Sequence, residues 1–146
     1  MITFTITLST YTGLVSPFEM GDIEIVNDAT KISSKKKIPD QSMMIFLSLC
    51  DLIDKIKAIL LSKSHKITIF SGVDSSFSLQ ISCVKNVVFI KNNDSVISCS
   101  AHDLGKAIYE QSVSFYQLYA PKLEEEHKYY DLKQSISEFS EFLKKS

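Results

Sequence analysis

Residues 42–61 read SMMIFLSLCDLIDKIKAILL, the most apolar run in the chain, and the way this run folds decides how the rest must be arranged. Phe46, Leu49, Ile53, Ile56 and Leu60 recur at three- and four-residue spacing, the period of a helix with one buried stripe. Met43, Ile45, Cys50, Leu52 and Ile59 flank that stripe and widen it, so the helix needs cover on more than one side. Pro39 and Asp40 introduce it, with Asp40 as the expected N-cap. The polar residues Ser48, Asp51, Asp54, Lys55, Lys57 and Ser62 are assigned to a narrow exposed face. The charges within the run also keep it short of the roughly 18 uninterrupted apolar residues that would suggest a membrane span.

Upstream, Ile2, Phe4, Ile6 and Leu8 alternate with Thr3, Thr5, Thr7 and Ser9, the period-two pattern of a half-buried strand. The same alternation argues against a secretory leader, which would carry a basic start and a continuous apolar stretch. Tyr11, Gly13 and Pro17 mark a turn, and residues 22–27 read as a second strand pairing with the first. Residues 28–39 turn polar and carry Lys31, Lys35, Lys36 and Lys37, which suggests an exposed loop. Without aromatic neighbours these lysines give a nonspecific field and no platform for stacking bases.

Downstream comes a run of short strands over residues 66–70, 77–83, 87–91 and 96–99. They are separated by Ser71-Gly72-Val73-Asp74, Lys85-Asn86 and Asn92-Asn93-Asp94, residue types that tolerate turns. Ser100-Ala101-His102-Asp103 has the form of a capping box, with Asp103 reaching back to the Ser100 amide, and predicts a helix to about Tyr119. On it Leu104, Ala107, Ile108, Phe115 and Leu118 form the core-facing stripe, with Tyr109, Val113 and Tyr116 in a lateral row. Pro121 suits the first turn of a further helix, along which Leu132, Ile136, Phe139 and Leu143 make a packing seam. The expectation is a single α+β domain over residues 1–146: a mostly antiparallel sheet of five to six strands on a central helix, with two C-terminal helices.

A chain of 146 residues, 45% hydrophobic and 23% charged, can bury one substantial core. All 16 basic residues are lysine, and the net charge is −1. Arginine is the preferred side chain for bidentate phosphate and guanine recognition, so sequence-specific nucleic-acid binding is not expected. The three cysteines, Cys50, Cys83 and Cys99, lie in apolar segments and read as free buried thiols, not as a disulfide framework. Together with the absence of a leader, this points to a soluble cytoplasmic protein.

Candidate chemistry is sparse. Cys83, Cys99 and His102 offer a single close pair, where a zinc site is built from paired short spacings, so no metal or other cofactor is expected. His65, His102 and His127 accompany no nucleophile elbow, and the four glycines build no phosphate loop, so no enzymatic activity is assigned. Three consecutive glutamates, Glu124, Glu125 and Glu126, sit where a helix start favours negative charge. With Asp131 and the nearby rings of Tyr116 and Tyr130, they form a candidate partner-binding surface, because tyrosine beside carboxylates supplies flat apolar area with hydrogen-bonding tips.

With its size, its α+β pattern and the acid- and aromatic-bearing stretch AHDLGKAIYEQSVSFYQLYAPKLEEEHKYYDLKQSISEFSEFL, the chain resembles the small cytoplasmic immunity proteins of contact-dependent inhibition and related bacterial toxin systems. The resemblance implies a protein, monomeric when free, that binds the C-terminal domain of a cognate toxin, commonly a nuclease, and covers its active site or substrate surface. Glu124, Glu125, Glu126 and Asp131 would then steer association with a basic cleft, with Tyr130 or Tyr116 as anchors. Residues 101–146 carry six lysines against eight acids, less acidic than a nucleic-acid mimic should be. The other reading is a small-molecule-binding domain or enzyme with a pocket between sheet and helices, lined by Phe70, Phe77, Phe89 and the central helix.

Overall fold

The computed structural model describes residues 1–10, 13, 15–62, 67–123 and 130–145, with the backbone alone at Tyr130. The apolar run forms helix α1, Ile45–Ser62. Ile45, Phe46, Ser48, Leu49, Leu52, Ile53, Ile56 and Ile59 are all buried on it, the wide face that the spacing predicts.

Its start differs from the expected one. Met43 and Met44 form a two-residue strand, and the Ile45 amide donates to the Glu19 carbonyl. Asp40 caps no helix: its carboxylate accepts from the Ser42 amide at 2.9 Å and the Ser42 hydroxyl at 3.0 Å, closing a local turn. Ser48 is not exposed either. It is fully buried, and its Oγ accepts from the Val73 amide at 2.9 Å, tying α1 to the loop after the fifth strand.

The α+β class holds, but the strands form two four-stranded sheets in place of one sheet of five or six. In the first sheet β1 (Ile2–Leu8) pairs antiparallel with β2 (Met20–Asn27). The other edge of β2 is shared by two short strands: β3 (Thr30–Ser33) pairs with Glu24 to Asn27, and β4 (Met43–Met44) with Met20 and Gly21. Strand β3 takes up part of the expected loop over residues 28–39, of whose lysines it holds Lys31, while Lys36 and Lys37 remain exposed outside it. Ile32 is buried opposite Ile25, while Lys31 and Lys35 reach outward to the Glu24 carboxylate at 3.3 and 3.7 Å. At Gly21 a Cβ would lie 2.5 Å from the Thr7 carbonyl and 2.8 Å from the Ile45 Cβ, so only glycine lets β1, β2 and α1 converge there.

The second sheet is a meander of β5 (Thr68–Ser71), β6 (Ser78–Val84), β7 (Val87–Asn92) and β8 (Ser95–Ser100). Lys85 and Asn86 both take positive φ, the two-residue turn whose twist matches the strands it joins. Phe70, Phe77, Leu79, Ile81, Val88, Ile90 and Ile97 point inward and are buried.

Helix α2, Ala101–Tyr119, starts as the capping motif predicts, with the Asp103 amide donating to Ser100 Oγ at 3.0 Å. The reciprocal half of the box is not formed: the Asp103 carboxylate, expected on the Ser100 amide, lies instead 3.5 Å from His102 Nδ1. Leu104, Gly105, Ile108, Ser112 and Phe115 are buried on it; Leu118, expected in the stripe, is 56% exposed. Pro121 sits in a short 3₁₀ turn, Ala120–Lys122, and helix α3 is described over Tyr130–Lys145. Its seam is as expected: Leu132, Ile136 and Phe139 are buried and Leu143 packs on the core.

Helix α1 packs on both sheets, α2 covers β1, β7 and β8, and α3 lies against α1 and α2. A chain of rings, Phe46 to Phe115 at 5.2 Å and Phe115 to Tyr119 at 4.9 Å, joins α1 to α2. Cys50 Sγ lies 3.1 Å from Ser135 Oγ, joining α1 to α3.

Three side chains cover sheet edges. Gln111 accepts from the Ile6 amide on β1, Lys55 donates to the Ile69 carbonyl on β5, and Asn27 donates to the Ser98 carbonyl where the two sheets meet.

Candidate functional site

Two surface features stand out from this scaffold. The first is the outer face of the second sheet. Strand alternation that buries Leu79, Ile81, Val88, Ile90 and Ile97 necessarily turns their neighbours outward. Register sets Ile69, Gln80, Lys91 and Val96 in one cross-strand row and Ser82, Phe89 and Ser98 in the next. Ile67, Ile69, Val87, Phe89 and Val96 are between 38% and 65% exposed. The strands of this face carry one charged residue on its outward side, Lys91, and no acid. Single exposed apolar residues are ordinary, whereas five on one sheet face suit an interaction surface; the outward Ser78, Gln80 and Ser82 of β6 divide them into Ile67 and Ile69 on one side and Val87, Phe89 and Val96 on the other.

The second feature is a cleft of about 730 Å³ where the end of α1, the turn between β6 and β7, the start of α2 and the end of α3 converge. Leu60, Leu61, Ala101, Phe142 and Leu143 provide apolar lining, with Tyr109 beside them. Lys106 and Lys145 supply its positive groups, His102 stands beside them, and no carboxylate is among the described lining residues. Gly105 lets the helices close here: a Cβ would stand 3.0 Å from Leu143 Cδ2. Among the described residues neither Lys106 nor Lys145 is ion-paired; the nearby lysines Lys57 and Lys144 are taken by Glu138 and Glu141. A smaller cavity of about 380 Å³ between α1 and α3 contains those two glutamates.

The pocket expected between sheet and helices is not formed as proposed. Phe70 and Phe77 are fully buried core rings, and Phe89 stands on the opposite, outward face of the sheet. Alternation alone separates them, since Phe89 falls on the odd positions of β7 and the buried residues on the even ones.

Of the surface expected at the helix junction, Glu124, Glu125 and Glu126 lie outside the described residues, as does the side chain of Tyr130. Asp131 is exposed in the first turn of α3. Tyr116 is half-buried against the core. No hydrogen bond joins Tyr116 to Asp131.

None of the three cysteines is in a disulfide. Cys83 is buried in the core, and burial, with the Asp103 carboxylate adding to it, pushes the Cys99 thiol from 9.0 up to about 11. Such a thiol is protonated at neutral pH and is a poor nucleophile or ligand. Among the described residues no three histidines, cysteines or carboxylates gather as a metal site would need. No described helix is long and apolar enough to cross a membrane.

These features belong to an α+β protein of two antiparallel sheets under a layer of helices. No protein-family pattern, curated protein or solved structure matches the chain.

Proposed function

We propose that this chain is an immunity-type inhibitor: it acts in the cytoplasm, where it binds a toxin domain delivered by a neighbouring cell and covers that domain's working surface. The observation that carries the reading is the exposed apolar face of the second sheet. Four strands spaced about 4.8 Å apart, from about 14 Å long at β5 to about 24 Å at β6, present roughly 400 Å² in projection, polar side chains included. A standard interface takes about 800 Å² per partner. The face can therefore form the dry centre of an interface whose rim extends over the surrounding loops. Its composition fits a partner with an apolar patch and one acid opposite Lys91.

Glu124, Glu125, Glu126, Tyr130, Asp131 and Tyr116 form the competing contact. Of these, the described Asp131 stands on α3 and Tyr116 on α2, and the main packing of α3 is against α1 and α2. A small toxin domain would occupy one of the two surfaces. On the described part of α3, Glu138 and Glu141 are offset by Lys57 and Lys144, which weakens the case for a strongly acidic docking face.

The test is co-expression with the C-terminal domain encoded by the reading frame immediately upstream, scored by co-purification and rescue of growth. Ile69→Asp with Phe89→Asp should abolish both, and charge reversal at Glu124, Glu125 and Glu126 should leave both intact. Loss of binding only in the glutamate variant would move the interface to the helix junction. Failure of the wild-type chain to co-purify or to rescue growth would overturn the reading.

A further inference from the structure

We propose that the cleft between the ends of α1 and α3 and the start of α2 binds a small amphipathic anion, an apolar body carrying a single carboxylate or phosphate. The volume of about 730 Å³ falls within the range of small-molecule sites. The lining divides into the two parts such a ligand needs. Leu60, Leu61, Phe142 and Leu143 come from two helices and offer a continuous apolar wall. Lys106, from the start of α2, and Lys145, from the end of α3, offer cations at its margin.

The charge balance gives the sign of the ligand. Elsewhere on these helices three of the four lysines sit beside acids: Lys55 with Asp51 at 3.1 Å, Lys57 with Glu138 at 3.8 Å, Lys144 with Glu141 at 3.7 Å. At the cleft two lysines share one opening, with no carboxylate among the described lining residues and no described ion-pair partner, and Lys145 also borders the smaller cavity that Glu138 and Glu141 line. An anion there meets unshared ammonium groups beside a low-dielectric wall, where charge-assisted hydrogen bonds are strongest. Lysine provides a point charge without the bidentate fork of arginine. Recognition therefore rests on charge and apolar fit, and either head group is accepted. This inference is independent of the toxin reading, since the cleft lies among the helix ends, apart from the outer face of the second sheet.

The test uses decanoate below its micelle concentration, followed by calorimetric titration of the full chain, with decanol and decyl phosphate as comparators. Decanoate and decyl phosphate should each bind saturably at one molecule per chain, and decanol about tenfold or more weaker. Lys106→Gln with Lys145→Gln should weaken decanoate by about tenfold and leave decanol unchanged. Lys31→Gln with Lys133→Gln, remote exposed lysines, should change neither. Decanol binding as tightly as decanoate, an unchanged affinity in the Lys106 and Lys145 variant, or no saturable binding would each overturn the proposal. Circular dichroism of the variants checks that the fold is kept; because the substituted lysines are exposed, it should be.

Discussion

Ser34 completes a strand edge that backbone alone leaves open. Strand β3 serves β2 from Glu24 onward and β4 serves Met20 and Gly21, so Asp22 and Ile23 face a gap between them. Ser34 fills it: its amide donates to the Ile23 carbonyl at 3.0 Å, and its hydroxyl accepts from the Ile23 amide at 3.0 Å and donates to the Asp22 carboxylate at 2.8 Å. Ser34 is fully buried. Ser34→Ala strands the Ile23 amide away from water and should lower unfolding free energy by about 1 to 3 kcal/mol in urea; no change in the midpoint would mean that the gap admits solvent. Cys99 makes a prediction of opposite character, concerning pH. Its folded pKa of about 11 lies above 9.0, so the fold favours the protonated thiol. Its contribution to stability is complete below about pH 9 and is lost as pH rises from there to about 11. Alkylation at Cys99 followed by peptide mass mapping should be slow at pH 8 and accelerate only towards the upper end of that window.

Elements were legible where the pattern was long and regular. Strands β1 and β6 announce themselves by strict alternation, β7 and β8 by the turn residues that bound them, and α2 by its capping serine. Strand β4 was hidden because Met43 and Met44 continue the apolar run of α1, and only their pairing with Gly21 and Met20 distinguishes strand from helix. Strand β3 was hidden because its four residues contain one buried side chain, Ile32, among groups that also suit a loop. The cleft could not have been read from the sequence at all, since Leu60, Asn86, His102 and Lys145 meet only after folding. The outer sheet face was half visible: alternation places Phe89 opposite the buried positions, but which side meets water depends on where α1 packs. At this scale α1 is the test. Phe46 is fully buried and packs at a tilt against Phe115. Phe46→Ala should cost about 3 to 5 kcal/mol in denaturant unfolding. A much smaller loss would mean that α2 can shift to fill the space.

Across the whole molecule the two sheets share one apolar cluster, running from Phe4 and Ile23 in the first through α1 to Leu79 and Ile90 in the second. They should therefore unfold together. Ile23→Ala and Leu79→Ala, one in each sheet, should each cost about 2 to 5 kcal/mol and move a single transition. Two separated transitions in far-ultraviolet dichroism and tyrosine fluorescence would show that the sheets are independent. The side chains lying across the strand edges bear on a different property, the manner in which copies of this chain can meet at high concentration. Gln111, Lys55 and Asn27 occupy backbone groups that an added strand would need, and such occupation suppresses fibrillar growth. The outer face is left greasy while its borders at Ile69 and Ser98 are partly occupied, which favours meeting it flat on. Crowding should then produce discrete, reversible complexes in place of ordered fibres, and a protein that displays its adhesive surface can remain safe to keep in a cell.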